Sequence, residues 1–224
     1  MRIITWNCVG GEPEQRADEL ASFNADVIVL QECSPPSQPT ETGVYFPGVN
    51  RKGVAVLAFP PYRIVPATLD PAVPDSVFPA RIEGPRSFHL LAVWAQRRPT
   101  YVRAVLDGVQ RYADFIRQAP TVIAGDFNSH PRWNERDKVN HTALEKSLRD
   151  SFGLASAYHA SSTRPVGDEE ATLYWRWQES QPFHVDYCFV PRAWTDQIRQ
   201  VVVGNYADWR NLSDHRPLCV ELAD

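Results

Sequence analysis

The stretch TVIAGDFNSHP covers residues 121–131 and joins an apolar run to a cluster of polar side chains. Residues 121–124 are typical of a buried strand, and glycine, aspartate, phenylalanine and asparagine follow at once. Side chains along a strand alternate between its two faces, so Asp126 and Asn128 point the same way if the extended geometry continues. Either the two side chains cap a turn, or they converge on a group outside the sheet.

Polar side chains also stand at the ends of other apolar segments. IITWN ends on Asn7, VIVLQE ends on Glu32, HVDY carries Asp186, and LSDHRPL places Asp214 and His215 before the last apolar run. Taken singly, each has a structural interpretation, because Asn and Asp beside strands bond their own backbone in turns. Packing alone does not explain acids and amides at five strand ends, whereas one shared polar cleft does.

The predicted strands outnumber the predicted helices and do not alternate strictly with them. Strand patterns occur at residues 2–8, 27–32, 53–59, 79–83, 87–95, 121–125, 172–177, 184–190, 201–203 and 217–222. Apolar spacing of three and four residues, with terminal signals, predicts helices over residues 12–23, 100–119 and 142–152. This count favours an α+β layered sandwich over a Rossmann sheet. Two sheets packed face to face, with helices outside, satisfy it.

The composition is that of a globular protein able to bury a core. The chain has 224 residues, 43% hydrophobic and 22% charged, which predicts a single domain over residues 1–224. No apolar run approaches the roughly 20 residues that span a bilayer. The N-terminus MRIITWNC lacks the features of a signal peptide, so the expected location is cytoplasmic.

Charge and cysteine content narrow the possible classes further. A formal net charge of −4 argues mildly against a protein held to nucleic acid by bulk electrostatics, but not against one local basic face. The four cysteines form no CxxC pair, so we expect reduced, buried packing residues and no zinc cluster. The sequence is consistent with a monomer, and no feature of it indicates an obligate protein partner.

Six motifs, in this order, resemble those of the endonuclease/exonuclease/phosphatase superfamily. They are TWN, LQE, KGVAVL, GDFN, HVDY and SDHRPL, and they span residues 5–218. GDFN followed about 90 residues later by SDHRP is the specific part of the pattern, whereas TWN or LQE alone is weak. The resemblance implies a four-layered α/β/β/α sandwich of two packed mixed sheets flanked by helices, as in deoxyribonuclease I. It places the active site at one edge of the paired sheets.

The chemistry that the resemblance implies is phosphoester hydrolysis by in-line attack of water, with Mg²⁺ or Mn²⁺ as the metal ion. Few protein ligands are then needed, because these hard cations keep several waters. Glu32 is the first choice as direct ligand. Asn7 stands beside it, and Asp214 is a possible further contributor.

The same resemblance assigns the proton transfers. Asp126 would accept the proton of the attacking water, or hold that water, and Asn128 would orient it. His215 would donate to a phosphoryl oxygen, with a nearby carboxylate favouring the imidazolium. Asp186 would organise the leaving-group side, through a water or by pairing with a histidine. The sequence is equally consistent with Asp186 and Asp214 in exchanged roles.

Two positions depart from the family pattern. Relatives of the exonuclease III type often carry Asp or Asn two residues after the first motif asparagine, where this chain has Val9, which favours one metal ion over two. Family members also tend to place Tyr or His near Trp94. This tryptophan is either a core residue or the donor of an indole N–H to a phosphate oxygen.

A nuclease acting on DNA is the first functional hypothesis. In TLYWRW, Trp175 and Trp177 alternate with Arg176 and would stack bases or wedge beside a phosphate, or else lie half-buried in an amphipathic strand. Arginines that follow the cleft-forming strands would contact the backbone of DNA. These arginines are Arg97, Arg98, Arg132 and Arg136.

Two alternatives remain open. The acidic balance and short chain favour a phosphatase or phosphodiesterase acting on a small molecule or lipid head group, although no basic amphipathic helix suits a membrane surface. The loop containing His159 would then select the substrate over the cleft. A binding module without catalysis is the third hypothesis, and the intact set of polar residues speaks against it.

Overall fold

The structure is a computed structural model that describes residues 1–39, 42–72, 75–136 and 138–223, without the side chains of residues 135 and 136. In these ranges the strands are β1 (Arg2–Asn7), β2 (Val27–Cys33), β3 (Gly43–Pro47), β4 (Gly53–Ala58), β5 (Arg63–Pro66), β6 (Val77–Glu83), β7 (Phe88–Trp94), β8 (Thr121–Asp126), β9 (Leu154–Ser156), β10 (Leu173–Tyr174), β11 (Pro182–Phe183), β12 (Asp186–Pro191), β13 (Ile198–Val203) and β14 (Leu218–Leu222). The helices are α1 (Pro13–Glu19), α2 (Tyr101–Arg111), α3 (Ala113–Gln118), α4 (His141–Phe152), α5 (Ala157–Ser161) and α6 (Tyr206–Trp209).

Two mixed sheets form the centre of the described chain. Sheet one has the order β13-β14-β1-β2-β4-β3, and sheet two has the order β5-β6-β7-β8-β12-β9. The pairs β1–β2 and β7–β8 are parallel, and the other neighbours are antiparallel. The short strands β10 and β11 pair with each other outside these two sheets.

The strands alternate faces as their sequences predict, and this alternation builds the core between the sheets. In β8, Val122 and Ala124 belong to the core that the two sheets share, whereas Ile123 belongs to the core beneath the helices. In β1, Ile3 faces the opposite sheet, and Ile4 faces outward. Each fully buried aliphatic side chain of this kind contributes about 1.5–3 kcal/mol to folding.

Helices cover both outer faces. Val105 of α2 and Leu148 of α4 pack with Ile123 on the outer face of sheet two. On sheet one, Trp6 packs with Leu20, which follows α1, and meets Trp209 of α6 with ring centroids 5.1 Å apart. The predicted α+β sandwich of two packed mixed sheets flanked by helices is therefore confirmed.

Two predicted elements differ from the structure. The helix predicted over residues 100–119 is divided into α2 and α3, because the backbone of Tyr112 leaves helical geometry at ψ 16°. The strand predicted over residues 172–177 is wrong beyond Tyr174. Arg176 and Trp177 adopt left-handed backbone conformations, with φ of 55° and 62°, which turn the chain instead of extending it.

Local pattern did not reveal the short outer elements. β3, β5, β9, β11, α5 and α6 were not predicted; each has only two to five residues, too few for a periodic signal. The four cysteines are buried and unbridged, in agreement with the prediction for them. Among the helices of the described ranges, none is long and apolar enough to cross a membrane.

Candidate active site

Three inward-facing polar side chains meet where β1 and β8 end and β12 begins. Asp126 and Asp186 are directly opposite each other in the antiparallel pair of β8 and β12. Asn7 ends β1 in the other sheet and reaches across the sandwich, with its Nδ2 donating to Asp126 Oδ2 at 3.0 Å. All three are buried, so the edge of the sandwich carries a polar group from each sheet.

Gly125 allows β8 to end in this way. A Cβ at this position would lie 1.9 Å from the carbonyl oxygen of Val93 in the neighbouring strand, and φ is 153°. Any larger residue would force β8 away from β7. The glycine of GDFN therefore has a packing reason, independent of chemistry.

Asn128 both forms a turn after β8 and hydrogen-bonds to Asp126. Asn128 adopts a left-handed conformation with φ of 47°, and its backbone N–H donates to Asp126 Oδ1 at 2.9 Å. Its side-chain Nδ2 donates to Asp126 Oδ2 at 3.0 Å. The turn and the convergence thus occur together, because the turn brings the carboxamide back beside the carboxylate. Three donors fix the orientation of the Asp126 carboxylate.

Glu32 reaches the site through an irregularity in β2. Strict alternation would place it on the same face as Leu30, which packs in the outer core. Glu32 instead has φ of 59°, and the register with β4 shifts between Gln31 and Cys33, which is the mark of a β-bulge. The side chain accepts a hydrogen bond from Asn7 Nδ2 at 3.1 Å.

Lys52, a residue with no role predicted from the sequence, pairs with Glu32. Its Nζ lies 2.6 Å from Glu32 Oε2. Burial raises the pKa of Glu32, but hydrogen bonds from Lys52 and Asn7 outweigh that effect and lower the pKa below its ordinary value. The lysine stands at the start of the KGVAVL motif, which was the available signal for it.

His215 is held by a carboxylate from the other sheet. Its Nδ1 lies 2.9 Å from Asp186 Oδ2. Its backbone N–H donates to Ser213 Oγ, whose hydroxyl donates to the carbonyl oxygen of Asn7 at 2.7 Å. The histidine is thereby fixed through both its ring and its backbone. Since Nδ1 faces Asp186, Nε2 is the ring nitrogen left for another partner.

Two buried residues to which no role was assigned from the sequence, Thr172 and Arg216, position this pair. The hydroxyl oxygen of Thr172 accepts hydrogen bonds from the backbone N–H groups of Val185 and Asp186, both at 3.0 Å. The guanidinium of Arg216 donates to the carbonyl oxygens of Ser213 and His215 at 2.8 Å. The Thr172 contacts join segments 13 and 14 residues apart, so no local motif reveals them. Arg216 instead belongs to the SDHRPL motif and bonds to carbonyl oxygens within that motif.

Charge in the site favours an imidazolium beside a basic carboxylate. Burial lowers the pKa of His215, but Asp186 and Asp126 outweigh it and raise the pKa to about 10. Burial raises the pKa of Asp126 to about 7, against the opposing effect of His215. A carboxylate with a pKa near neutrality is suited to accept a proton during a reaction.

The residues present fit a hard divalent cation. The acids of the site are Glu32, Asp126, Asp186 and Asp214, and its cations are Lys52 and His215. Burial raises the pKa of Asp214, and nearby Glu32 and Asp186 raise it further, while His215 opposes them. Asp186 Oδ1 is buried and accepts no hydrogen bond from the described residues. Excess carboxylate oxygen of this kind suits Mg²⁺ or Mn²⁺.

Two sets of ligands compete for that ion. Donor atoms of Asp126, Asp186 and His215 lie within 4.8 Å of one another and form a geometric candidate. However, an imidazolium does not ligate a metal ion, and the pKa of His215 is raised. The side chain of Glu32 is 25% exposed, so a cation there keeps its waters. Glu32, which lies beside Asn7 and whose charge raises the pKa of Asp214, is therefore the better candidate ligand.

The predicted substrate residues lie in three different surroundings. Trp94 is 5% exposed and belongs to the core between the sheets, where it pairs in register with Asp126. Trp175 and Trp177 are 48% and 46% exposed, and the guanidinium of Arg176 lies 4.6 Å from the Trp175 ring. The backbone N–H of neighbouring Tyr174 donates to the Asp214 carbonyl, so this turn adjoins the site.

The predicted arginines differ in their described contacts. Arg98 pairs with Asp75 at 3.5 Å, and Arg132 donates to the carbonyl oxygen of Gly167. Arg97 is exposed. The side chain of Arg136 lies outside the described part of the chain.

His159 belongs to a second network and is not brought to Asp126. Its Nε2 lies 3.0 Å from Glu169 Oε1, and its Nδ1 lies 3.6 Å from Glu145 Oε1. His130 approaches the other oxygen of Glu169 at 3.5 Å. The Glu169 side chain is only 1% exposed, so the pairing ties the segment after α5 to the body of the protein.

The buried His184, whose ring centroid lies 6.3 Å from that of His159, should make folding sensitive to acid. Burial lowers the pKa of His184 from 6.5 to about 4. The unfolded chain therefore takes up a proton below pH 6.5 that the folded chain refuses, so stability is full above pH 6.5 and falls as pH drops to about 4. One pKa unit corresponds to about 1.4 kcal/mol, which gives about 3 kcal/mol for this residue.

Lowering the pH from 7 to 4.5 should cost the wild-type protein more stability in urea unfolding than it costs His184→Gln. The raised pKa of Asp126 acts in the opposite direction, and it does so equally in both proteins. The variant lacks the titrating group, whereas His130, whose pKa burial also lowers to about 4, remains. Equal losses in both proteins would remove His184 from this explanation. Glu169 adds only below pH 4.5: burial raises its pKa, but hydrogen bonds from Gly167 and His159 lower it to about 2.

Comparisons with known proteins agree on fold. A sequence model of the Endonuclease/Exonuclease/phosphatase family matches residues 4–215, and no curated protein matches the chain. The 3′ phosphatase NExo from Neisseria, bound to a product DNA hairpin, is similar with a TM-score of 0.74, 18% identity and 100% of both chains covered. The endonuclease domain of TRAS1, a telomere-specific non-LTR retrotransposon, gives 0.70, 16% identity, and 99% and 97% coverage of this chain and that one. The 3′–5′ exonuclease NExo from Neisseria meningitidis gives 0.71, 19% and full coverage of both chains.

Proposed function

Because the chain belongs to the Endonuclease/Exonuclease/phosphatase family, a family of phosphoric ester hydrolases, we propose that it cleaves phosphodiester bonds of DNA with a divalent metal ion. The observation that carries this proposal is the hydrogen-bonded chain from Glu32 through Asn7 and Asp126 to Asn128. It joins a candidate metal ligand to a candidate base. The Asp186–His215 pair stands within the same few ångströms.

In the proposed reaction, Asp126 accepts the proton of the attacking water. Its pKa of about 7 lets it be ionised before the step and protonated after it. Asn7 and Asn128 hold the carboxylate in one orientation, which limits the positions from which it can take the proton. A buried strand end is a rigid mount for such a group.

His215 acts on the phosphate in its cationic form. With Nδ1 held by Asp186, Nε2–H donates to a non-bridging phosphoryl oxygen as negative charge grows there. The raised pKa keeps this proton in place at neutral pH. Asp186 therefore acts through the histidine, as the sequence analysis allowed.

Glu32, Asn7 and Asp214 would hold the divalent cation. A bound cation would polarise the phosphoryl oxygens and neutralise part of their negative charge. This would reduce the repulsion between the anionic phosphodiester and the attacking water. On this assignment Lys52 gives up its pairing with Glu32 and remains as a nearby positive charge. The Val9 position adds no further oxygen ligand, in keeping with one ion.

The turn at residues 175–177 supports DNA as the polymer. Beside the site, two exposed tryptophans offer faces on which bases can stack, and an arginine offers a positive charge for the phosphate backbone. NExo, a 3′ phosphatase bound to a product DNA hairpin, and the endonuclease domain of TRAS1 share this fold at 16–19% identity.

A substrate panel tests the proposal. Supercoiled plasmid, single-stranded DNA, RNA and bis-p-nitrophenyl phosphate are incubated with Mg²⁺, Mn²⁺ or EDTA. We expect plasmid nicking with metal and none with EDTA. Hydrolysis of the small ester alone would instead support the phosphodiesterase alternative. A folded protein inert toward every substrate would overturn the hydrolase assignment.

The metal site has its own test. We expect Glu32→Gln to weaken Mn²⁺ binding at least tenfold in isothermal titration calorimetry, because the amide removes one negative charge from the candidate ligand. Glu19→Gln is the matched control, since Glu19 lies on α1, where it pairs with Arg16, and is not one of the candidate ligands. Unchanged affinity in Glu32→Gln would contradict the ligand assignment.

A further inference from the structure

A cavity of about 120 Å³ lies beside the candidate active site and has no role in the reaction described above. It is lined by the start of α2, the loop after β8 and the start of α4; its lining includes Tyr101, Val102, Asn128, Trp133, Val139 and His141. Asn128 belongs to both places. Its side chain is bonded to Asp126 and also forms part of the cavity wall.

The walls are suited to a flat ring. Trp133 and Tyr101 supply aromatic surface. Tyr101 is the first residue of α2 and is 37% exposed. Trp133 is itself supported by Phe183, with ring centroids 4.7 Å apart. Aromatic surface of this kind stacks against bases of any sequence.

The size of the cavity limits its occupant. About 120 Å³ is well below the roughly 300–1,000 Å³ of pockets that hold whole drug-sized ligands. One ring system fits, while an attached sugar and phosphate must remain outside. α2 and α4 both begin at this cavity, with Thr100 and Asn140 as their N-caps.

We propose that this cavity, between Trp133 and Asn128, is a subsite for the nucleobase next to the scissile phosphate. The inference rests on the proposed function, because the phosphate at Asp126 places the adjoining nucleotide at Asn128. The base enters the cavity, and its phosphate stays with the catalytic residues. The subsite then helps to orient the bond that is cleaved.

The test uses a single-stranded decanucleotide in which one linkage is phosphodiester and the others are phosphorothioate. Two analogues replace the base on the 5′ or the 3′ side of that linkage by tetrahydrofuran. We expect the wild-type protein to lose about tenfold or more in kcat/KM on one analogue. Trp133→Ala should lose a similar factor on the full substrate and nothing more on that analogue.

Further variants separate the subsite from a role in folding. Trp133→Phe should recover most of the activity, and Tyr101→Ala should reproduce the loss without disturbing the Trp133–Phe183 contact. Leu69→Ala is the control, because Leu69 is 45% exposed and does not line the cavity. Equal cleavage of all three substrates by the wild-type protein overturns the subsite and leaves the nuclease intact. Equal slowing of all three by both cavity variants also overturns it. A wild-type protein that cleaves neither these substrates nor plasmid fails at the proposed function itself.

Discussion

Asp126→Asn should lower the single-turnover rate of plasmid nicking by about 10²–10⁴-fold, the range that a positioned general base contributes. The amide has nearly the same shape as the carboxylate but cannot accept the proton of the attacking water. Asp126 is fully buried, and its burial raises its pKa to about 7. Nicking by the wild-type protein should therefore fall as pH drops below about 7, because protonation occupies the base.

Asp114→Asn is the matched control for this variant. Asp114 lies on α3 with its side chain 96% exposed, so the same chemical change there should leave the rate within about twofold. Thermal unfolding followed by circular dichroism establishes that Asp126→Asn is folded. A folded Asp126→Asn protein that nicks at the wild-type rate would show that another group takes the proton.

Asp186→Asn should also reduce the rate, by up to about 10⁴-fold, the effect of neutralising a carboxylate that orients a catalytic histidine. The His215 ring loses its negative partner at Nδ1, so both the pKa and the orientation of the ring change. A raised pKa of about 10 keeps His215 protonated below that pH in the wild-type protein. In the variant, the alkaline loss of activity should move to a lower pH.

The pH–rate profile separates this role from a structural one. A variant that is merely less stable loses rate without moving the alkaline limb of its profile. Asp208→Asn is the control; Asp208 sits in the first turn of α6, bonded to Asn205. An unshifted profile in a folded Asp186→Asn protein would contradict the assignment of Asp186 as the partner that raises the pKa of His215.

Strand alternation alone was enough to predict part of this site. Asp126 lies two residues after the inward-facing Ala124, and Asp186 lies two residues before the inward-facing Cys188. Period-two alternation therefore places both aspartates between the sheets. Asn7 follows Ile3 on β1 by the same rule. The sandwich was predictable for a related reason, because long buried strands and two well-marked outer helices carry strong periodic signals.

Irregular backbone and distant pairings carried no such signal. Strict alternation would place Glu32 on the outer face of its sheet, but a β-bulge turns its side chain to the inner side. The predicted strand over Trp175 and Trp177 is a turn, because two consecutive left-handed residues override an alternating pattern. His159 is paired with Glu169, ten residues further along, and that contact depends on a fold that sequence spacing does not encode.

The central claim is that Asp126 and His215 act on one phosphate in one step. The most direct measurement is the single-turnover nicking rate of the double variant Asp126→Asn/His215→Asn beside the two single variants. Residues that act as a unit lose activity non-additively, so we expect the double variant to be at most about tenfold slower than the slower single variant. A loss equal to the product of the two single losses would show independent roles and contradict a shared phosphate.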